Sequence, residues 1–383
     1  MYAISAEIPA MTRLPGSTDV FVIGGGPAGL AAAIAARCRG FDVTVADCSV
    51  PPMDKACGEG IMPDGLDAAR SLGLDLDVDG AQHFRGIRFC ERGAAVEAAF
   101  PKRFGLGVRR TTLHRLMVDR AAEAGVRLAW GARITGICEE GVYADGRLVR
   151  ARWIVGADGG QSPVRRWANL DACVRESRRF GFRRHYAVAP WSEFMEIHWG
   201  DHCQLYITPV AAREVCIVLL SGNPSQRLDD ALPQFPEVLR RVCGAKNDPA
   251  HIERGGISTS RRLKSVCRGN VALVGDASGS VDAITGEGLR LLFQHALALA
   301  GALESGDLAI YQAEHRRIGR RPELMADLML LLDSRSLLRR RAMRAFAGHP
   351  ALFARMLAMH IGAVSPMDYF TSSLALGWRM LTA

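Results

Sequence analysis

Gly24-Gly25-Gly26-Pro27-Ala28-Gly29 sets three glycines at the spacing with which a backbone can hold a pyrophosphate. Gly24 permits a tight turn after a strand. Gly26 lets phosphates approach the chain, and Gly29 lets the following helix pack close to that strand. The free N–H groups at the start of the helix favour negative charge. The next apolar strand ends at Asp47, about 20 residues on, where a carboxylate can accept hydrogen bonds from ribose hydroxyls. Strand, glycines, helix, strand and acid occur in the order that dinucleotide binding requires.

Three later segments narrow the nucleotide to a flavin. In the first, a strand from Trp153 ends at Gly156-Ala157-Asp158-Gly159, and a helix begins near Ser162, a good N-cap. In the second, Gly269 to Ala277, an apolar strand delivers Gly275-Asp276 at its carboxyl end, where α/β folds bind ligands. Asp276 is placed to accept a hydrogen bond from a ribityl chain. In the third, Thr285-Gly286-Glu287-Gly288 opens a helix over Leu289 to Leu303. Its first N–H groups can stabilise charge on the N1–C2=O edge of a reduced flavin.

Two further residues could take part in the chemistry. Cys57 and Glu59 stand in a Gly/Pro-rich stretch, residues 50 to 65, and so long a loop inside a nucleotide fold is usually functional. A thiol there could tune a cofactor or touch substrate, or simply fit a tight loop. Glu59 could carry a proton if the site buries it and raises its pKa. His185, His198 and His202 lie in or beside strands, and none is singled out as catalytic. Asp282 reads equally well as a helix-entry acid.

These residues need elements to hold them. Residues 18 to 47 form a β-α-β unit. A helix over Leu113 to Ala124 and strands over 126–130 and 133–138 follow, and a turn at Ala144-Asp145-Gly146 leads to the strand ending at Gly156. Between residues 180 and 221 the pattern becomes short strands with turns: Phe194 to Trp199, Gln204 to Val210 and Val215 to Leu220. That predicts an antiparallel sheet inserted into an α/β domain. Helices are expected from about 287 to the end, interrupted near Pro322, Pro350 and Pro366. The expected division is a loose tail over 1–17 and a Rossmann-like FAD-binding domain over 18–178 and 257–303. A substrate sheet over 179–256, with part of 80–105, and a helical C-terminal cap over 304–383 complete it.

Composition sets the boundaries of function. The 383 residues can bury a large core, and the apolar content is that of a globular protein. No apolar run approaches the roughly 20 residues of a membrane span. The ten cysteines are scattered, with no C-x-x-C pair and no zinc spacing, so no metal is expected and a reducing cytoplasm fits. The net charge of +8 rests on arginine, with only four lysines. No nucleic-acid-binding pattern accompanies it. Residues 328 to 361 read as basic amphipathic helices, with Arg335, Arg339, Arg340 and Arg341 between leucines. The preferred reading is a packed cap with a solvated basic face; the other is a peripheral dock on the inner membrane surface.

The motifs Gly24 to Gly29, Gly156 to Arg165, and Gly275-Asp276 with Gly286-x-Gly288 together resemble the flavoprotein superfamily of para-hydroxybenzoate hydroxylase and the geranylgeranyl reductases. The resemblance implies a glutathione-reductase-type fold with FAD as cofactor and NAD(P)H as a transient donor. By it Arg110, in Arg110-Thr111-Thr112-Leu113, lies near the FAD phosphates, and the backbone at Ile134 meets adenine. The stretch Cys57-Gly58-Glu59-Gly60 is similar to the reductases' Cys-Gly-Gly-Gly loop, which lies against the isoalloxazine; Glu59 stands where they usually have glycine. Tyr206-Ile207-Thr208-Pro209 matches their Tyr-x-Trp-x-Phe-Pro only in part, and the Trp-x-Trp-x-Ile-Pro of flavin halogenases is absent. The implied cofactor contacts are Gly24, Gly26, Ala28, Gly29, Asp47, Cys57, Gly58, Arg110, Ile134, Asp158, Gly275, Asp276, Gly286, Gly288 and Leu289.

The expected function is an FAD-dependent oxidoreductase. The preferred form is a single-component monooxygenase of secondary metabolism, acting on an apolar phenolic or polyketide-like molecule with Cys57 and Glu59 as candidate catalytic residues. The alternative is a reductase of isoprenoid double bonds. A third reading, from another class, is a non-catalytic relative that binds a prenyl group or a partner.

Overall fold

The computed structural model describes residues 14–245 and 252–363. The expectations placed on 1–13, and the interruption at Pro366, lie outside them. The chain begins as its glycine pattern requires. Strand β1 (Ser17–Ile23) is buried from Val20 onward and runs into helix α1 (Pro27–Cys38), whose apolar residues are almost all buried. Strand β2 (Val43–Asp47) pairs in parallel with β1. Strand β3 (Gly60–Ile61) and helix α2 (Pro63–Ser71) lead into β4 (Ala81–Phe84), β5 (Gly86–Glu91), β6 (Ala94–Ala99) and β7 (Gly105–Val108).

Helix α3 (Arg110–Glu123) begins three residues before the apolar periodicity does. Strands β8 (Arg127–Trp130), β9 (Ile134–Cys138), β10 (Gly141–Ala144) and β11 (Arg147–Gly156) follow, then helix α4 (Pro163–Trp167). β1 lies at the middle of a parallel run in the order β18-β11-β1-β2-β8, where β18 is Val271–Leu273. The two flanks diverge beside β1. That is the switch point at which doubly wound sheets open a crevice beyond their carboxyl ends.

The second sheet holds β12 (Cys173–Tyr186), β13 (Met195–Trp199), β14 (Cys203–Ala211), β15 (Glu214–Ser221) and β16 (Arg254–Leu263), in the order β16-β12-β15-β14-β13-β5-β6. It is antiparallel except where β13 meets β5 in parallel. Short helices α5 (Leu228–Ala231) and α6 (Pro236–Val242) cover its outer face, while β17 (Cys267–Arg268) returns the chain to the first sheet. The inner face carries Met195, Tyr206, Val218 and Leu220 and packs on helices α8 (Leu308–Ser334), α9 (Ser336–Gly348) and α10 (Pro350–His360). Helix α7 (Gly288–Ser305) packs against α1 in the first core.

Helix α8 runs straight through Pro322, where an interruption was expected. Proline in a helix interior costs about 3 kcal/mol. Here Met325, Ala326 and Met329 are buried against the sheet just beyond it and hold the helix together. The basic run at 335–341 divides: Arg339 turns inward to donate to Glu91 at 2.8 Å, while Arg335, Arg340 and Arg341 stay exposed. No helix among the described residues is long and apolar enough to cross a membrane.

Candidate functional site

Gly24 and Gly29 make the close backbone approaches their spacing predicts. Gly24 holds a φ of +113°, and a Cβ there would lie 2.4 Å from the Ala157 carbonyl oxygen. A Cβ on Gly29 would lie 1.8 Å from the carbonyl oxygen of Gly24. At Gly26, the N-cap of α1, a Cβ would meet nothing within 4 Å. The backbone therefore closes on itself at two glycines and opens onto space at the third, in front of free N–H groups. That is the shape a pyrophosphate cradle needs.

Asp47 braces this cradle. Its carboxylate accepts from the Gly25 N–H at 2.7 Å and from the Ser49 N–H at 2.7 Å. Behind it the Trp130 ring fills the space a Gly25 side chain would take. Asp158 accepts from Ser162 Oγ at 2.5 Å and from the Val164 N–H at 3.0 Å, so both its oxygens are spent on the start of α4. Burial pushes its carboxyl up. Ser162 is the N-cap, accepting from the Arg165 N–H. Arg165, wholly buried, then donates to the Ala277 carbonyl at 3.2 Å and ties this turn to the next acid motif.

That motif abuts the cradle. Gly275 has φ +58°, and a Cβ on it would strike Ala28 at 2.4 Å. Asp276 beside it is exposed, with its carboxylate free of the turn that carries it. Gly286, in left-handed backbone, lies near Met62, and Gly288 and buried Leu289 open α7. Ile134 stands apart on the hairpin, where it starts β9 opposite Ala144. If Asp276 accepts from the cofactor, Asp276→Ala should weaken FAD binding roughly tenfold to a hundredfold, the loss of a charge-assisted hydrogen bond. Titrating apoprotein with FAD checks it, and an unchanged affinity would remove that contact.

The loop at Cys57 is held from the other side. Gly58 accepts from Thr208 Oγ1 at 2.8 Å, and the Cys216 thiol lies 3.8 Å from the Cys57 carbonyl. Glu59 sits in left-handed backbone at φ +58°. Its side chain plunges into the sheet and is 1% exposed. Oε1 accepts from Arg183 Nη1 at 2.7 Å and from the Arg110 N–H at 2.9 Å, and Oε2 lies 2.6 Å from His185 Nε2. Burial alone would push this carboxyl up, but His185 and Arg183 prevail and hold it below the usual carboxylate range. A carboxylate only accepts, so His185 carries its proton on Nε2. Glu59 is buried, as proton carriage would need, yet its shift runs towards a fixed ion.

Burial pushes the Cys57 thiol up, against the pull of Arg110. The group is therefore a thiol near neutral pH, not a thiolate. Its sulfur accepts from the Glu59 N–H at 3.4 Å.

Helix α3 joins the two halves. His114, kept neutral by burial, donates from Nε2 to the Gly25 carbonyl at 2.9 Å. One turn earlier Arg110 contacts Glu59 through its backbone, and its own Nε is buried without a partner. An orphaned guanidinium nitrogen between the glycine loop and the thiol loop suits a phosphate oxygen. Sequence reading missed His114 and Arg183 as parts of the site, and met His185 and Arg165 without giving either a role in it. The four-residue spacing of Arg110 and His114, one helix face, was a usable signal for the first.

The open cradle, the orphaned Arg110 and the free Asp276 fit FAD, and likeness to known proteins agrees. A menaquinone reductase of Mycobacterium tuberculosis is 28% identical over 76% of this chain and 78% of its own length. A digeranylgeranylglycerophospholipid reductase of Methanosarcina acetivorans is 28% identical over 77% and 78%. A flavoprotein/dehydrogenase from Cytophaga hutchinsonii shares the fold at a TM-score of 0.80, with 16% identity over 96% of this chain and 99% of that one. The FAD binding domain family matches residues 17–306, and the chain belongs to it, as an FAD-dependent oxidoreductase of the superfamily of monooxygenases and reductases.

Proposed function

We propose that this protein reduces a carbon–carbon double bond in an apolar, prenyl-like chain, with Cys57 as the proton donor. The observation that carries the reading is a protonated thiol held at a fixed place on the Cys57–Gly60 loop, between the cradle and the apolar face of the second sheet. Saturating a double bond takes a hydride on one carbon and a proton on its neighbour. Bound FAD, reduced by NAD(P)H, supplies the hydride. The neighbouring carbon needs a proton; Cys57 Sγ has one to give, and the thiolate left behind regains its proton from solvent. The names of the reductase relatives support the same class of substrate.

The other residues orient and exclude. Thr208, Arg183 and His185 fix the loop that bears the thiol. Methionines 62, 195, 325, 329, 343 and 356 share one buried cluster with aromatic rings between the second sheet and the C-terminal helices. Unbranched thioethers adapt to irregular apolar shapes and keep water out. Glu59 acts through Cys57 rather than on substrate.

Hydroxylation with NAD(P)H and O2 is the second reading. It is favoured by the departures from the reductase pattern at Glu59 and at Tyr206-Ile207-Thr208-Pro209. One experiment separates the two. Holoprotein is given NADPH and a prenylated quinone, with and without oxygen, and products are weighed by mass spectrometry. Products are reoxidised to the quinone before weighing: a gain of two hydrogen atoms that persists in the prenyl chain, made without oxygen, supports reduction of the double bond; oxygen-dependent gain of one oxygen atom supports hydroxylation in its place.

Cys57→Ser should retain FAD and the Michaelis constant while losing about 10²–10⁴-fold in kcat, the range for a general acid. Full turnover in that variant would return Cys57 to a packing role.

A further inference from the structure

A second charged cluster lies behind the start of α7, and neither the cradle nor the thiol loop uses it. Glu287 stands between Gly286 and Gly288 and is 1% exposed. Arg290 Nη2 lies 2.7 Å from its Oε1. Arg290 Nε is 3.5 Å from Asp64 Oδ2, to which Arg321 donates at 2.9 Å. Arg321 also stands 4.0 Å from Glu287, and His360 Nδ1 lies 3.9 Å from Glu287 Oε2. Helices α2, α7, α8 and α10 each contribute.

The cluster is charged but poorly hydrogen-bonded. Both oxygens of Glu287, Oδ1 of Asp64, Nε and Nη2 of Arg290, Nε of Arg321 and Nδ1 of His360 are buried without an aligned partner. Buried ions are costly, and apolar residues of the same size often serve stability as well or better. Packing alone therefore does not account for this group. Its position does. It adds full charges directly behind a helix N-terminus that otherwise presents about half a positive charge. In the interior such charges are weakly screened.

We propose that this cluster sets the electron affinity of the bound flavin. Glu287 opposes the α7 dipole and disfavours the reduced, negatively charged cofactor, while Arg290 and Arg321 offset it. The three are positioning residues that act through the helix terminus. The inference rests on the reading that the start of α7 faces the isoalloxazine.

The test is the two-electron midpoint potential of holoprotein, measured by equilibration with reference dyes. Glu287→Gln should raise it by tenfold or more in the reduction equilibrium, about 30 mV for two electrons. Arg321→Gln, at a half-buried position, should lower it. Opposite signs are the signature of charge; a structural lesion has no reason to produce them. If Glu287→Gln does not fold, Asp64→Asn at the far side of the cluster should also raise the potential. Unchanged potentials, or shifts of one sign in acid and arginine variants alike, overturn the proposal. Flavin absorbance of the wild type is read first. A protein that holds no flavin defeats the site itself, whereas a yellow protein with unmoved potentials defeats only this inference.

Discussion

Gly29→Ala is expected to abolish FAD binding and destabilise the fold by roughly 3 kcal/mol or more, whereas Gly26→Ala should lose FAD and keep its stability. The two glycines are three residues apart, Gly26 the N-cap of α1 and Gly29 within its first turn, and what a methyl group would meet at each decides the outcome. At Gly29 it would lie 1.8 Å from the Gly24 carbonyl oxygen and 3.1 Å from Ala157 Cβ. Backbone must move, and overpacking of this kind typically costs 1–3 kcal/mol or occasionally more. The displaced atoms belong to the turn that shapes the cradle, so binding falls with stability.

At Gly26 the backbone is ordinary, with φ −71°, and the methyl group would enter open space. Alanine is free to adopt that conformation, so the apoprotein should unfold at the same urea concentration as the wild type. If the space belongs to a pyrophosphate, the methyl group stands in its way. Thermal melts of apoprotein and FAD titrations of both variants check the pair. Wild-type FAD affinity in Gly26→Ala would show that the open face is not where phosphates lie.

The parts of the site that were legible in the sequence are local ones. Gly24, Gly26 and Gly29 sit within one turn, and their roles follow from the strand before and the helix after. Asp158 and Asp276 announce themselves at strand ends, and Ser162 caps α4 as its type predicts. The second sheet was legible where apolar residues alternate, in β13, β14 and β15. It was hidden in β12, whose five arginines, Arg175, Arg178, Arg179, Arg183 and Arg184, look like a solvated surface. Two of them, Arg179 and Arg183, are buried against carboxylates. Nothing within a window of sequence shows that, because the partners Asp282 and Glu59 are far along the chain. Glu59 is the sharpest case. From the sequence it reads as an intrusion into a glycine loop. In the fold its backbone takes the left-handed conformation that glycine adopts most easily, and its side chain anchors the loop to β12.

That anchoring makes Arg183→Met the second large effect. Removing the guanidinium leaves the Glu59 carboxylate buried with His185 and one backbone N–H, and leaves Asp54 without its 2.9 Å partner. Breaking a buried ion pair from one side costs about 3–5 kcal/mol. Glu59→Gly alone should cost less, because glycine relieves left-handed strain of about 1–2 kcal/mol while orphaning Arg183 in part. The double variant Glu59→Gly/Arg183→Met removes both charges and should be more stable than Arg183→Met alone. Urea unfolding of the apoproteins gives the cycle, and strictly additive losses would mean the pair is not coupled. The same variants fix the pH sense. Glu59 is held below its ordinary value of 4.5, so its contribution is complete above that pH and is lost as pH falls through the depressed value. Wild type should therefore lose stability steeply on the acid side, and Glu59→Gly should lose less there, with Asp54 supplying what slope remains. A variant whose acid limb matches that of the wild type would mean that Glu59 is not the ion that fixes the loop.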